Sequence, residues 1–91
     1  VVPKQEVDFI FDLDDDILAG LNVFAKKVAH ALKKAVPCKR IGVAVIGLEV
    51  PHTHVHLVPM NSMGDLNFTR SKLSPSKEAL ETVAKKIREA F

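Results

Sequence analysis

The chain has 91 residues, 47% of them hydrophobic and 26% charged, with a formal net charge of +2. That length allows one small domain with a marginal core, and that charge is too weak to argue for a nucleic-acid or membrane partner. No apolar run approaches the roughly 18 residues that a membrane span needs, and Cys38, the sole cysteine, excludes an intrachain disulfide and fits a reducing cytoplasm.

Val1-Val2-Pro3 reads as the end of a strand, closed by Pro3. Residues 4–12 are ambiguous, because Val7, Phe9 and Phe11 alternate; a short extended connection is expected there. Asp12 or Asp14 opens a helix that runs to about Val36. Asp14, Asp15 and Asp16 fall in its first turn, where carboxylates meet the positive end of the helix dipole. They lack the spaced oxygen ligands and the Gly turn of a calcium loop. Ile17, Leu21, Phe24, Val28, Ala31, Leu32 and Ala35 make an apolar stripe at helical spacing. His30 is expected on the helix flank, as a structural or surface residue. Lys33 and Lys34 suit the C-terminal end, and Pro37 stops the helix.

Lys39-Arg40 leads into a strand over Ile41–Ile46, with Gly42 marking a close approach or a bulge. Gly47-Leu48-Glu49 reads as the turn into a second strand, Val50 to Pro59, antiparallel to the first. This strand carries three of the four histidines, His52, His54 and His56, in strict alternation. Residues i, i+2 and i+4 of a strand share a face. The three imidazoles therefore form a row, while Val55 and Leu57 point into a core. Two such histidines could chelate one metal ion, but the outer pair of the row lies about 13 Å apart before side-chain reach. Imidazole is also a nucleophile near neutral pH and needs no strong base. Nucleophilic catalysis, a metal site and a solvated histidine face are the three readings of the row.

Residues 60–74 hold Asn61, Gly64, Asp65 and Asn67, the signature of a loop, with Leu66 and Phe68 as its apolar pins. Ser74 as N-cap and Pro75 at the first helical position then open a final helix. Its stripe is Leu80, Val83, Ala84, Ile87 and Phe91. Lys85, Lys86 and Arg88 lack the neighbouring aromatics of a nucleic-acid surface.

His52-Thr53-His54-Val55-His56-Leu57-Val58 resembles the histidine-triad pattern, in which three histidines alternate with apolar residues. Val1-Val2-Pro3-Lys4 resembles the strand end that precedes the long helix in the same family. The resemblance covers about residues 1–60. It implies an α+β fold, with an antiparallel sheet, one long helix and a C-terminal helix, in a single domain over residues 1–91 that is incomplete at its N-terminus. The segment implied ahead of Val1 would carry a helix, two strands and much of the nucleobase pocket.

The resemblance also implies a chemistry. His54 would attack the α-phosphorus of a nucleoside phosphate derivative, forming a nucleotidyl-histidine that water then hydrolyses. His56 would contact the phosphate, and His52 would support the row. The partners implied are a purine nucleotide or a related phosphate derivative and a second copy of the chain, with phosphoramidase-type hydrolase activity and neither metal nor other cofactor. Gly47, Leu48, Glu49 and Val50 occupy the phosphate-binding loop, where the family often writes Gly-Gln-Ser/Thr-Val. Leu48 has no side-chain donor, and an inward Glu49 would repel phosphate. Either the backbone amides of 47–50 hold the anion or Glu49 turns away. The alternatives are a nucleotide-binding or interaction module with little catalysis, and a histidine-based metal-binding protein.

Overall fold

A computed structural model describes residues 1–91. Its elements are helix α1 (Asp15–Ala35), strand β1 (Arg40–Ala44), strand β2 (His56–Met60) and helix α2 (Lys77–Ala90), with short 3-10 turns at Ile10–Asp12 and Met63–Leu66. β1 and β2 pair antiparallel, from Arg40 opposite Met60 to Ala44 opposite His56. This is the α+β architecture expected from the sequence. No helix is long and apolar enough to cross a membrane.

α1 starts and stops where its charges and prolines dictate. Asp14 stands at the N-cap, Asp15 and Asp16 fill the first turn, and Lys33 and Lys34 fill the last. The buried face differs from the predicted stripe. Leu21, Ala25 and Ala31 are buried and Leu18 packs beside them, whereas Ile17 and Phe24 are exposed. An apolar stripe read at 3.6 residues per turn is wider than the line that touches the sheet. Phe24 lies on its edge and meets Phe91 of α2, ring centroids 6.0 Å apart.

The histidine segment departs from a single long strand. The ladder with β1 begins only at His56. Residues before it are extended but pair with the start of the chain. The Val55 amide donates to Val1 O and the Val1 nitrogen donates to Val55 O, both at 2.8 Å, and the Thr53 amide donates to Val7 O at 2.7 Å. The link from β1 is correspondingly a loop over residues 45–55 rather than a tight turn. Pro59 sits inside β2 instead of ending it, which a two-stranded sheet tolerates because each strand has a free edge.

Two further boundaries move. Residues 4–12 are not extended throughout, since Asp12 and Leu13 donate back to Phe9 O and Ile10 O and close a 3-10 turn. That turn drops Leu13 into the core and leaves Phe9 and Phe11 outside, edge to face at 5.2 Å. α2 is capped by Ser76, not Ser74. The Ser76 hydroxyl accepts from the Ala79 amide at 3.1 Å, which leaves Pro75 just ahead of the cap.

The core consists of Leu13, Leu21, Ala25 and Val55, with Val1, Val7, Ile10, Leu18 and Leu57 packed against it. It therefore lies between α1 and the face of the histidine segment that carries Val55 and Leu57. That packing fixes the opposite face, where the imidazoles stand.

Candidate active site

The alternation of residues 52–57 divides the segment cleanly. Thr53 and Val55 are 2% and 3% exposed and Leu57 joins the core, while His52, His54 and His56 are each partly buried on the other side. Thr53, a polar residue among the apolar positions, is accounted for by its partner. Its hydroxyl donates to Val7 O at 2.6 Å, so no buried donor is left unpaired. This bond and the neighbouring amide bond tie residue 7, and with it the Phe9–Phe11 turn, to the histidine segment.

The three imidazoles form the expected row. Ring centroids of His52 and His54 lie 5.5 Å apart and those of His54 and His56 4.7 Å, both edge to face. His54 Nδ1 is 2.9 Å from the carbonyl oxygen of His52. A carbonyl oxygen only accepts, so Nδ1 carries the proton and donates. In the neutral ring, Nε2 then keeps its lone pair. His52 Nδ1 is buried without a hydrogen-bond partner, a costly state that natural folds seldom leave without a purpose.

His56 is held below the ordinary histidine range. Desolvation by burial is the largest cause, followed by repulsion from His54, with Lys72 adding a smaller part. Its ring is therefore neutral at pH 7. No group of three His, Cys, Asp or Glu side chains converges as a metal-ligand set, and the row places its nitrogens along a line rather than around a point.

A cleft of about 190 Å³ opens beside His54, walled by Asp8, Phe9, Phe11, Ile46 and Gly47. Of the four loop residues expected to hold phosphate, the structure brings Gly47 to this cleft, with φ +75° in the left-handed region that glycine adopts without strain. Leu48 is 88% exposed, and Glu49 and Val50 are exposed as well. Glu49 forms no ion pair and does not line the cleft. The amides of residues 47–50 donate to no other atom of the chain, so they are free donors on the loop beside the histidines.

Sequence reasoning passed over two contributors. The Phe9–Phe11 turn was legible only as an alternation that fits strand and loop equally. Phe68 stacks on His56 with centroids 4.7 Å apart, and no spacing rule links it to a histidine across a loop.

The comparisons agree with this geometry. The HIT domain model matches residues 1–63. The structure is similar to that of a histidine triad (HIT) protein from Sinorhizobium meliloti, with a TM-score of 0.81 and 29% identity over 99% of this chain and 71% of the other. A histidine triad protein from Bradyrhizobium japonicum gives 0.79 and 26% identity, over 98% of this chain and 71% of the other.

Proposed function

This chain belongs to the HIT family of nucleotide-binding proteins and hydrolases, and on that premise we propose that it hydrolyses nucleoside phosphate derivatives through a nucleotidyl-His54 intermediate. The observation that carries the reading is the His54 Nδ1 contact with the His52 carbonyl. It leaves Nε2 as the ring nitrogen with a free lone pair, on a histidine that lines the same cleft as Gly47 and the Phe9–Phe11 turn. The apolar cleft takes the nucleoside, purines offering the larger ring to stack on phenylalanine. The free amides of the 47–50 loop take the α-phosphate oxygens, as backbone nests do for anions. The exposure of Glu49 supports this arrangement, because its carboxylate need not face the phosphate. His56, neutral at pH 7 for the reasons given above, contacts the phosphate without adding charge, and His52 supports the row.

The reaction requires in-line positioning and charge stabilisation more than acid–base power. His54 Nε2 bonds to phosphorus, the bond to the leaving group breaks, and water then displaces the histidine to release a nucleoside monophosphate. The chain acts as a homodimer, with α1 and β1 at the interface.

The test is hydrolysis of an adenosine phosphoramidate by the chain and by His54→Ala, with chelator present throughout. We expect monophosphate release by the first and a loss of at least about a thousandfold in the second, since the covalent route is removed. Release that His54→Ala leaves intact overturns the reading. Tight adenosine monophosphate binding without release would establish a binding module instead, a second reading that the absence of any side-chain donor at Leu48 favours.

A further inference from the structure

Three separate stretches line the cleft beside His54: Asp8 to Phe11, Val45 to Gly47, and Thr53 with His54 itself. The first is held by little. Phe9 is 55% and Phe11 74% exposed, so their rings do not anchor it. The bonds of the Asp12 and Leu13 amides return to Phe9 and Ile10 and stay inside the turn. Val7, Ile10 and Leu13 seat the stretch on the core, but apolar burial is non-directional and leaves its exact placement open.

Only two hydrogen bonds join residues 4–13 to the rest of the chain, and both end on Val7 O. The Thr53 amide donates to it at 2.7 Å and the Thr53 hydroxyl at 2.6 Å, across 46 residues of sequence. The loop after β2 is fastened differently, by its own side chains. There the Asp65 carboxylate accepts from the amides of Asn61 and Ser62, and Arg70 donates to Gly64 O. At position 53 the alternation of the histidine segment asks only for an apolar residue, which would keep the amide bond and lose the hydroxyl bond. Thr53 is 2% exposed, so water does not compete for its hydroxyl.

We infer that Thr53 is a positioning residue for nucleotide binding: its hydroxyl, by holding Val7 O, keeps the Asp8–Phe11 wall in place against the histidine row. The inference rests on the reading of this cleft as the nucleotide site. The bond that sets the His54 tautomer runs to His52 O and uses no atom of the Thr53 side chain. The hydroxyl therefore bears on binding and not on the bond-making step. Without it Val7 O still accepts one bond, so no buried acceptor is stranded, and the wall spends part of its time out of place. Apparent affinity falls in proportion to that lost fraction.

The experiment compares Thr53→Val, Thr53→Ser and the unmodified chain on an adenosine phosphoramidate. Thr82→Val is the control, because Thr82 also donates to a carbonyl, that of Glu78, on a helix that lines no part of the cleft. Thr53→Val is expected to raise KM about three- to tenfold with kcat within about twofold. Thr53→Ser loses a buried methyl but keeps the hydroxyl, and its KM should stay within about twofold of the unmodified chain and the control. Urea midpoints should fall for both Thr53 variants, so a merely structural residue would move KM in both together or in neither. Either of those patterns, or a fall in kcat alone, overturns the inference. A second measurement needs no variant. Adenosine monophosphate at ten times its Kd should slow exchange of the Thr53 amide about tenfold, since binding favours the held wall; unchanged exchange overturns the inference even if Thr53→Val does not fold. Should the unmodified chain hydrolyse nothing, the His54 reading fails by itself, and calorimetric Kd values for adenosine monophosphate replace KM. The inference then stands if Thr53→Val binds more weakly than Thr53→Ser, and falls if the two bind alike or the unmodified chain does not bind.

Discussion

Two backbone carbonyls do much of the work of setting the histidine row. His52 O fixes the tautomer of His54, and Val7 O anchors the hydroxyl and amide of Thr53 between them. Neither involves a charged side chain, so the row is oriented without a carboxylate that would repel a phosphate. The same economy of charge governs His56. Burial, His54 and Lys72 all disfavour its protonated form. The folded chain therefore binds fewer protons at this site than the unfolded chain between the depressed value and the ordinary one near 6.5. Stability from this site is fully present above about pH 6.5 and is lost as pH falls through the folded value. An imidazole NMR titration should place His56 below 6.5, and urea midpoints should decline on acidification less steeply in His56→Gln than in the unmodified chain. Lys72→Met should raise the His56 midpoint only partly, because desolvation is the larger cause. A His56 midpoint at or above 6.5 would contradict the account.

At the scale of elements, α2 offers the clearest test of how local chemistry sets a boundary. Two serines flank Pro75, and only Ser76 satisfies a helix amide, that of Ala79. Ser76→Ala should cost about 1 kcal/mol in urea denaturation and Ser74→Ala almost nothing; the reverse order would move the helix start back to Pro75. The sequence-based preference for Ser74 followed the good fit of proline at a first helical position, a fit that Pro75 does not use. Elsewhere the chain was readable wherever one strong signal stood alone. The Asp14–Asp16 run and Pro37 bracketed α1, and strict alternation placed His52, His54 and His56 on one face with Val55 opposite. It was unreadable where two local patterns fit equally, as at Phe9–Phe11, and where long-range pairing decides. Val1 pairing with Val55 delays the β1–β2 ladder to His56, and no local rule carries that information. Phe68 reached His56 through a loop whose course depends on Asp65 and Arg70, and that too lies outside periodicity.

At the scale of the whole molecule, the distribution of apolar surface argues for self-association. Only six of 91 residues are buried, so folding hides little hydrocarbon and the isolated domain sits near the lower limit of stability for its size. Meanwhile Val43 of β1, Phe24 of α1 and Leu80, Val83 and Phe91 around α2 remain exposed, a larger scattering of big apolar side chains than a small monomer usually carries. β1 pairs only with β2, and its free edge offers unpaired backbone groups next to Val43. A second copy related by a twofold axis would cover both kinds of surface at once, edge against edge and helix against helix. If so, folding and association are linked, and the thermal midpoint must rise with protein concentration. We expect sedimentation equilibrium to give a dimer mass, and the melting temperature to climb over about a hundredfold range of concentration. Val43→Lys, a charge placed on that edge without removing any buried group, should shift the mass toward monomer and abolish the concentration dependence. A monomer mass with a concentration-independent midpoint would mean that the pairing of α1 and β1 across a twofold axis is wrong.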